Sequence, residues 1–207
     1  MIKTITAMSV QKRNKERVSV FLDGEYAFSL GLNAALGLKR GQELSQADIA
    51  RLEREDDVLR AYHNALRFLG YRPRSRLEIE RHLRQKGYAA EAIDAAIARL
   101  VANRYIDDEA FARSWLNHRE RLQPRGARGL SHELRQKGVE REIIDDVLTD
   151  LDEETSAWAA IEGKIHRWRG LEQVAFQKKV TGFLGRRGFA YDTIRKTCEK
   201  AWEEMDS

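Results

Sequence analysis

Along most of the chain, apolar residues recur every three or four positions with charged residues between them, which is the pattern of amphipathic helices. The N-terminal part differs. Two runs rich in β-branched and aromatic residues, 18–22 and 26–30, flank Asp23-Gly24, and a third such run covers residues 2–10. An Asp-Gly pair between runs of this kind favours a tight hairpin, because its turn needs positive φ. We therefore expect a small antiparallel β-hairpin or sheet at the N-terminus, followed by helices.

The first long helix has a recognisable start. Ser45-Gln46-Ala47-Asp48 resembles a capping box, in which the first and fourth residues satisfy each other's backbone N–H groups. Apolar residues then keep helical spacing as far as a break at Gly70-Tyr71. The acidic pair Asp56-Asp57 predicts that the helix restarts midway.

An internal repeat organises the rest of the chain. Leu83-Arg84-Gln85-Lys86-Gly87 recurs letter for letter at residues 134–138, an offset of 51, and a degenerate copy follows at 184–188. Apolar residues recur at fixed distances before and after each copy, at Ile79, Leu130 and Val180, and at Ile93, Ile144 and Ile194. A period of this length indicates stacked structural repeats.

Each repeat reads as a module of three helices. Pro73 and Pro124 end the first helix, since the residue before a proline avoids the α region. The Lys-Gly step ends the second helix, with glycine as the left-handed cap. In the third repeat, Gly182 and Gly185 are expected to weaken the second helix.

The predicted fold is mainly α, with tandem three-helix repeats in an elongated row and a small N-terminal antiparallel β-hairpin or sheet. Four segments follow: the hairpin region at 1–44, a linker helix with repeat 1 at 45–107, repeat 2 at 108–153 and repeat 3 at 154–207.

Composition restricts the class of protein. The chain of 207 residues has one cysteine, Cys198, which occupies an apolar repeat position, so we expect a core residue in a reducing, cytoplasmic compartment. No apolar stretch is long enough for a membrane helix, and no secretory signal is apparent. The 37 basic and 33 acidic residues give a net charge of only +4, so the distribution of charge is more informative than its sum.

Catalytic and cofactor motifs are not apparent, so we expect no enzyme, no metal and no cofactor. His132-Glu133 begins like a zinc helix, but Gln136 stands where the second ligand would be. The sequence contains no phosphate-binding glycine loop and no nucleophile elbow. The acidic pairs at 56–57, 107–108 and 145–146 are interpreted as helix caps.

Basic residues concentrate on one element of each repeat, the loop into the second helix and that helix itself. This placement predicts positive surfaces suited to a polyanion or an acidic partner. Arg74 and Arg125 follow the prolines and are expected in exposed loops, and Trp168 is the tryptophan expected to be exposed as an interface anchor. The candidate binding residues are Arg72, Arg74, Arg76, Arg81, Arg84, Lys86, Arg121, Arg125, Arg128, Arg135, Lys137, Lys178, Lys179, Arg186 and Arg187.

The repeats resemble those of the RecX family, bacterial regulators of the RecA recombinase. The resemblance is carried by residues 74–79, 83–88, 105–112, 124–126 and 130–138, and it extends over roughly residues 56–204. The N-terminal strands are similar to an extension that some family members carry.

The resemblance implies a non-enzymatic modulator. Family members bind RecA nucleoprotein filaments within the filament groove, and they inhibit ATP hydrolysis, strand exchange and co-protease activity. This protein is accordingly expected to be a monomer that binds the RecA filament in DNA repair, homologous recombination and the SOS response. It is also expected to bind single- or double-stranded DNA weakly and without sequence preference. The alternative is a DNA-binding helical protein that acts without sequence preference or regulates transcription.

Overall fold

The computed structural model of the chain describes residues 1–206. It confirms a mainly helical protein with a small N-terminal antiparallel sheet. The strands are β1 (Ile2–Val10), β2 (Arg17–Leu22), β3 (Glu25–Gly31) and β4 (Glu43–Ser45). The helices are α1 (Leu32–Ala35), α2 (Gln46–Leu69), α3 (Arg76–Gln85), α4 (Ala90–Ala102), α5 (Asp108–Leu122), α6 (Ala127–Gln136), α7 (Arg141–Thr149), α8 (Glu153–Ile165), α9 (Gln173–Arg186) and α10 (Tyr191–Asp206), with a 3₁₀ turn at His166–Trp168.

The sheet has the strand order β3-β2-β1-β4. Asp23 and Gly24 turn between β2 and β3 with φ of 51° and 91°, so the predicted hairpin is confirmed. The strand β4 was not predicted, because three residues are too few to show an alternating pattern. It pairs with the start of β1 through Lys3 and Leu44.

Helix α2 packs on the sheet. Ile5 and Leu30 are completely buried, and they belong to one core cluster with Ile49 and Leu52 of α2. The capping box is confirmed, since Ser45 Oγ accepts the Asp48 N–H at 3.1 Å and Asp48 Oδ2 accepts the Ser45 N–H at 3.1 Å.

The predicted restart of α2 at residue 56 is wrong. The helix runs unbroken through 24 residues, and the Asp56 side chain lies in the interface with the sheet. Asp56 pairs with Arg17 at 2.9 Å and accepts the Gly31 N–H at 2.7 Å. It therefore anchors the helix to β2 and β3, which explains an acidic residue with only 4% exposure.

The three repeats are α2–α4, α5–α7 and α8–α10. Residues at equivalent repeat positions form their cores, as the offsets predict. Leu83, Leu134 and Leu184 are all 0% exposed, and the three isoleucines that follow the glycines are 5% exposed or less. Cys198 is also buried, as expected from its repeat position.

The second helix of each repeat ends in the same way. Gly87, Gly138 and Gly188 have φ of 84°, 77° and 81°. In each repeat the N–H after the glycine donates to the carbonyl of the leucine that opens the repeated pentapeptide, for example Val139 N to Leu134 O at 3.1 Å, which defines a Schellman motif. The predicted glycine caps are thus confirmed.

Repeat 3 departs from one expectation. Gly182 and Gly185 lie inside α9, which spans 14 residues. Trp168 is only 7% exposed, so its prediction as an exposed anchor is wrong. The 3₁₀ turn places its ring edge-on against Phe176 and Phe183 in the core, with centroids 6.1 and 6.0 Å away.

The acidic pairs have different roles. Asp107 caps α5 by accepting the Ala110 N–H at 2.9 Å, as predicted. Asp145 and Asp146 lie within α7, so the capping interpretation is wrong for them.

The chain divides into two compact units, which are Met1–Arg72 with Ile79–Tyr105, and Pro73–Glu78 with Ile106–Ser207.

Candidate basic interface

Eleven of the fifteen candidate residues are exposed. They lie mainly on the second helices α3, α6 and α9 and on the loops that lead into them. These residues are Arg72, Arg76, Arg81, Arg84, Lys86, Arg121, Arg128, Arg135, Lys178, Lys179 and Arg186.

The other four candidates, Arg74, Arg125, Lys137 and Arg187, are half-buried. The expectation that Arg74 and Arg125 lie in exposed loops is therefore wrong. The Nε atom of Arg74 is buried, and the Arg125 guanidinium lies against the protein. Both side chains therefore make contacts within the protein.

In repeat 2, the carboxylate of Glu133 in α6 accepts hydrogen bonds from several side chains. Its carboxylate pairs with Arg125 Nε at 2.9 Å and with Arg119 Nε at 2.8 Å, and it accepts the Trp115 indole N–H at 2.8 Å. The Glu133 side chain is only 13% exposed. Arg125 is thus partly neutralised and fixed by a carboxylate of its own repeat.

The Lys137 side chain also makes its contacts within the protein. Its ammonium pairs with Glu78 at 2.9 Å and lies 4.1 Å from the centre of the Trp115 ring. Its backbone carbonyl accepts a hydrogen bond from Ser75 Oγ at 2.6 Å. Lys86, the equivalent residue of repeat 1, is exposed, so two identical pentapeptides present their lysines differently.

Arg187 occupies the same repeat position as Lys137. Its Nη1 donates to the Pro124 carbonyl at 3.0 Å, and its guanidinium lies 4.5 Å from the Phe183 ring centre. Burial, and to a lesser degree the nearby Arg125 charge, lowers the pKa of Arg187. Arginine is so basic that it stays charged here.

The half-buried residues lie at two equivalent contacts within the second unit. In each contact, which we call a joint, the start of a second helix packs on the capping turn of the next repeat's second helix. Residues 75–78 pack on the capping turn at Lys137–Gly138, and Gly126 and Gly129, 51 residues later, pack on the turn at Arg187–Gly188. In the second joint the Gly126 N–H donates to Arg187 O at 3.2 Å. A Cβ on Gly129 or Gly188 would collide with the opposing backbone, so glycines replace side chains in this joint.

The remaining exposed residues can meet an external anion. Arg84 and Arg135 occupy equivalent places near the ends of α3 and α6. Lys178, Lys179 and Arg186 add positive charge on α9. Exposed guanidinium and ammonium groups can bind phosphates and carboxylates.

The single thiol lies in the core of repeat 3, where burial raises the pKa of Cys198 and so disfavours the reactive thiolate. Within residues 1–206, no helix combines the length and apolar character that crossing a membrane would require. Fold and surface together define a tandem three-helix repeat protein with an N-terminal sheet and exposed basic second helices.

Comparison with known families gives this class a name. Four sequence models match in order along the chain: the regulatory protein RecX N-terminal domain at residues 3–45, and the first, second and third RecX three-helix domains at 61–100, 107–148 and 152–198. The chain belongs to the RecX family of regulatory proteins.

Individual relatives cover nearly all of the chain. The regulatory protein RecX of Bacillus licheniformis is 33% identical, with 98% of this chain and 79% of that protein aligned. The Bacillus subtilis RecX is 32% identical over 98% of this chain and 78% of its own. Among solved structures, a crystal structure of regulatory protein RecX has a TM-score of 0.76 and 27% identity over 95% of this chain and 99% of that chain. RecX from Lactobacillus salivarius has a TM-score of 0.64 and 25% identity over 73% of this chain and 98% of its own.

Proposed function

We propose that this protein binds RecA nucleoprotein filaments and inhibits the ATPase, strand-exchange and co-protease activities of the recombinase. The proposal combines membership of a regulatory family with one observation. The second helices of repeats 1 and 2 carry exposed basic side chains at equivalent positions near their ends, Arg84 in α3 and Arg135 in α6. In this proposal the protein is a cytoplasmic monomer that acts by binding its partner and catalyses no reaction itself. It functions in DNA repair and the SOS response.

The chemistry of these side chains suits both parts of such a filament. Guanidinium groups form paired hydrogen bonds with carboxylates and with phosphates. They can therefore contact acidic recombinase side chains, DNA phosphates, or both. Contacts with phosphates alone would be sequence-independent and would weaken steeply with salt.

Charge reversal tests the proposal. The double variant Arg84→Glu/Arg135→Glu changes exposed residues, and we expect it to fold normally and to lose most of its binding to RecA–DNA filaments in co-sedimentation. A matched control is Arg141→Glu/Arg195→Glu, which makes the same change in charge at exposed positions of the third helices α7 and α10. We expect the control to bind filaments like the parent protein.

Two results would count against the proposal. If both double variants bind and inhibit like the parent, the basic second helices are only a solvated surface. If both lose binding equally, net charge rather than position accounts for the interaction.

A further inference from the structure

A second basic surface lies outside the repeats' second helices, in a cleft between the N-terminal sheet and α2. Its volume is about 1010 Å³, and all of its lining residues belong to the first compact unit. One wall contains Asn14, Arg17 and the residues from Gly31 to Asn33. The sequence pattern did not single this cleft out, because its walls come from segments far apart in the chain.

Helix α2 supplies the other wall. Arg60, His63 and Arg67 are spaced three and four residues apart, so they share one face of the helix. Arg99 reaches the cleft from α4, and its guanidinium lies 4.5 Å from the centre of the buried Tyr62 ring. That contact places the exposed Arg99 guanidinium beside the cleft.

The charges of the cleft do not cancel internally. Asp56 is satisfied by Arg17, and Arg60 pairs with Asp57 at 2.9 Å. Arg67 and Arg99 form no ion pair with any residue in the described range 1–206. The lining includes four arginines and two acidic residues, Glu16 and Asp56, so the cleft keeps a net positive charge.

We propose that this cleft is a binding site for phosphate esters, supplied by a nucleic-acid strand or by a free nucleotide. Guanidinium forks match phosphate oxygens, and His63 and Asn14 add polar groups that can hydrogen-bond to the ligand. The cleft is at the upper end of the size range for small-ligand pockets, so it has room for more than one phosphate group. The inference goes beyond filament regulation and does not rest on it.

The test uses the full chain without any recombinase. Fluorescence anisotropy of labelled oligothymidylate and calorimetric titration of ATP would be compared for the parent, for Arg67→Ala/Arg99→Ala and for Arg40→Ala/Arg54→Ala. Arg40 and Arg54 are exposed residues of the same unit that do not line the cleft, so the control removes the same charge.

We expect the cleft variant to bind at least about tenfold more weakly, and the slope of log affinity against log salt to fall by about 1 for each phosphate that the variant no longer binds. The control should bind like the parent. Weakened oligothymidylate binding without ATP binding identifies a strand as the ligand. Weakened binding of both, with competition between them, identifies a nucleotide.

Because Arg99 packs on Tyr62, its removal can affect folding. The single variant Arg67→Ala removes only an exposed side chain, and we expect it to weaken binding on its own with an unchanged melting temperature. The proposal is overturned if the parent binds neither probe, or if Arg67→Ala and the double cleft variant both bind like the control. A result for Arg84→Glu/Arg135→Glu with filaments is independent of either outcome.

Discussion

Lys86 and Lys137 occupy the same place in identical pentapeptides, yet the structure gives them opposite environments, and this difference can be measured. Lys137→Ala removes an ammonium partner of Glu78 and a cation resting on the Trp115 ring. The cation–π interaction contributes roughly 0.5–2 kcal/mol. Removal of a hydrogen-bonded partner from a half-buried carboxylate costs about 1–2 kcal/mol more.

We therefore expect Lys137→Ala to lower the free energy of unfolding of the second unit by about 1.5–4 kcal/mol. For a domain of this size, that corresponds to a melting temperature roughly 5–15 °C lower. Lys86→Ala removes the equivalent exposed lysine, and its effect should stay within about 0.5 kcal/mol.

Urea unfolding followed by circular dichroism measures both variants, because the four tryptophans all lie in the second unit and Lys86 lies in the first. Tryptophan fluorescence adds a local probe for Lys137→Ala, since the Lys137 ammonium lies 4.1 Å from the centre of the Trp115 ring. Equal destabilisation of the two variants would refute the reasoning. So would a Lys137→Ala protein as stable as the parent, because the lysine would then be an ordinary surface residue.

Three further predictions test other parts of the fold. Gly188→Ala should destabilise repeat 3 by more than about 1 kcal/mol in urea unfolding, because its φ is positive and the joint has no room for a Cβ, whereas Gly185→Ala in α9 should be neutral or stabilising. Asp56→Ala should cost about 3 kcal/mol in the first unit, because it leaves the Arg17 guanidinium without its carboxylate, and urea unfolding that matches the parent would contradict this role. Hydrogen bonds from Thr155 lower the pKa of Asp152, so its helix cap stabilises above the ordinary aspartate pKa and is lost as pH falls through the lower folded value. The difference in melting temperature between the parent and Asp152→Ala should accordingly shrink on acidification, and a constant difference would contradict the cap.

Much of the fold could be predicted from sequence because local signals and the repeat agree. The Asp-Gly turn, the capping box and the Lys-Gly helix ends depend on residues close together in the chain. Equivalent apolar positions such as Leu83 and Leu134 then identify the repeat cores without knowledge of their neighbours.

The errors concern residues whose partners are distant in sequence. Asp56 resembles a helix cap, but its partner Arg17 lies 39 positions away in a strand. Lys137 resembles a surface cation, but Glu78, its partner 59 positions away, holds it inside a joint. A repeat shows that positions are equivalent, and it does not show which neighbour covers each copy.

The same limitation applies to the candidate site. Exposed residues such as Arg135 could be recognised because the repeat places basic side chains on the same element. The arginines of the cleft could not, since Arg67 and Arg99 come from different helices and meet only in the folded unit.

We propose that this protein regulates a recombinase filament. The most direct measurement is the DNA-dependent ATPase of the cognate RecA, with this protein added at sub-stoichiometric ratios. A protein that acts on a filament, in which one bound molecule affects many subunits, should inhibit ATP hydrolysis well before it equals RecA in concentration. An ATPase rate that is unchanged up to equimolar protein would contradict the claim.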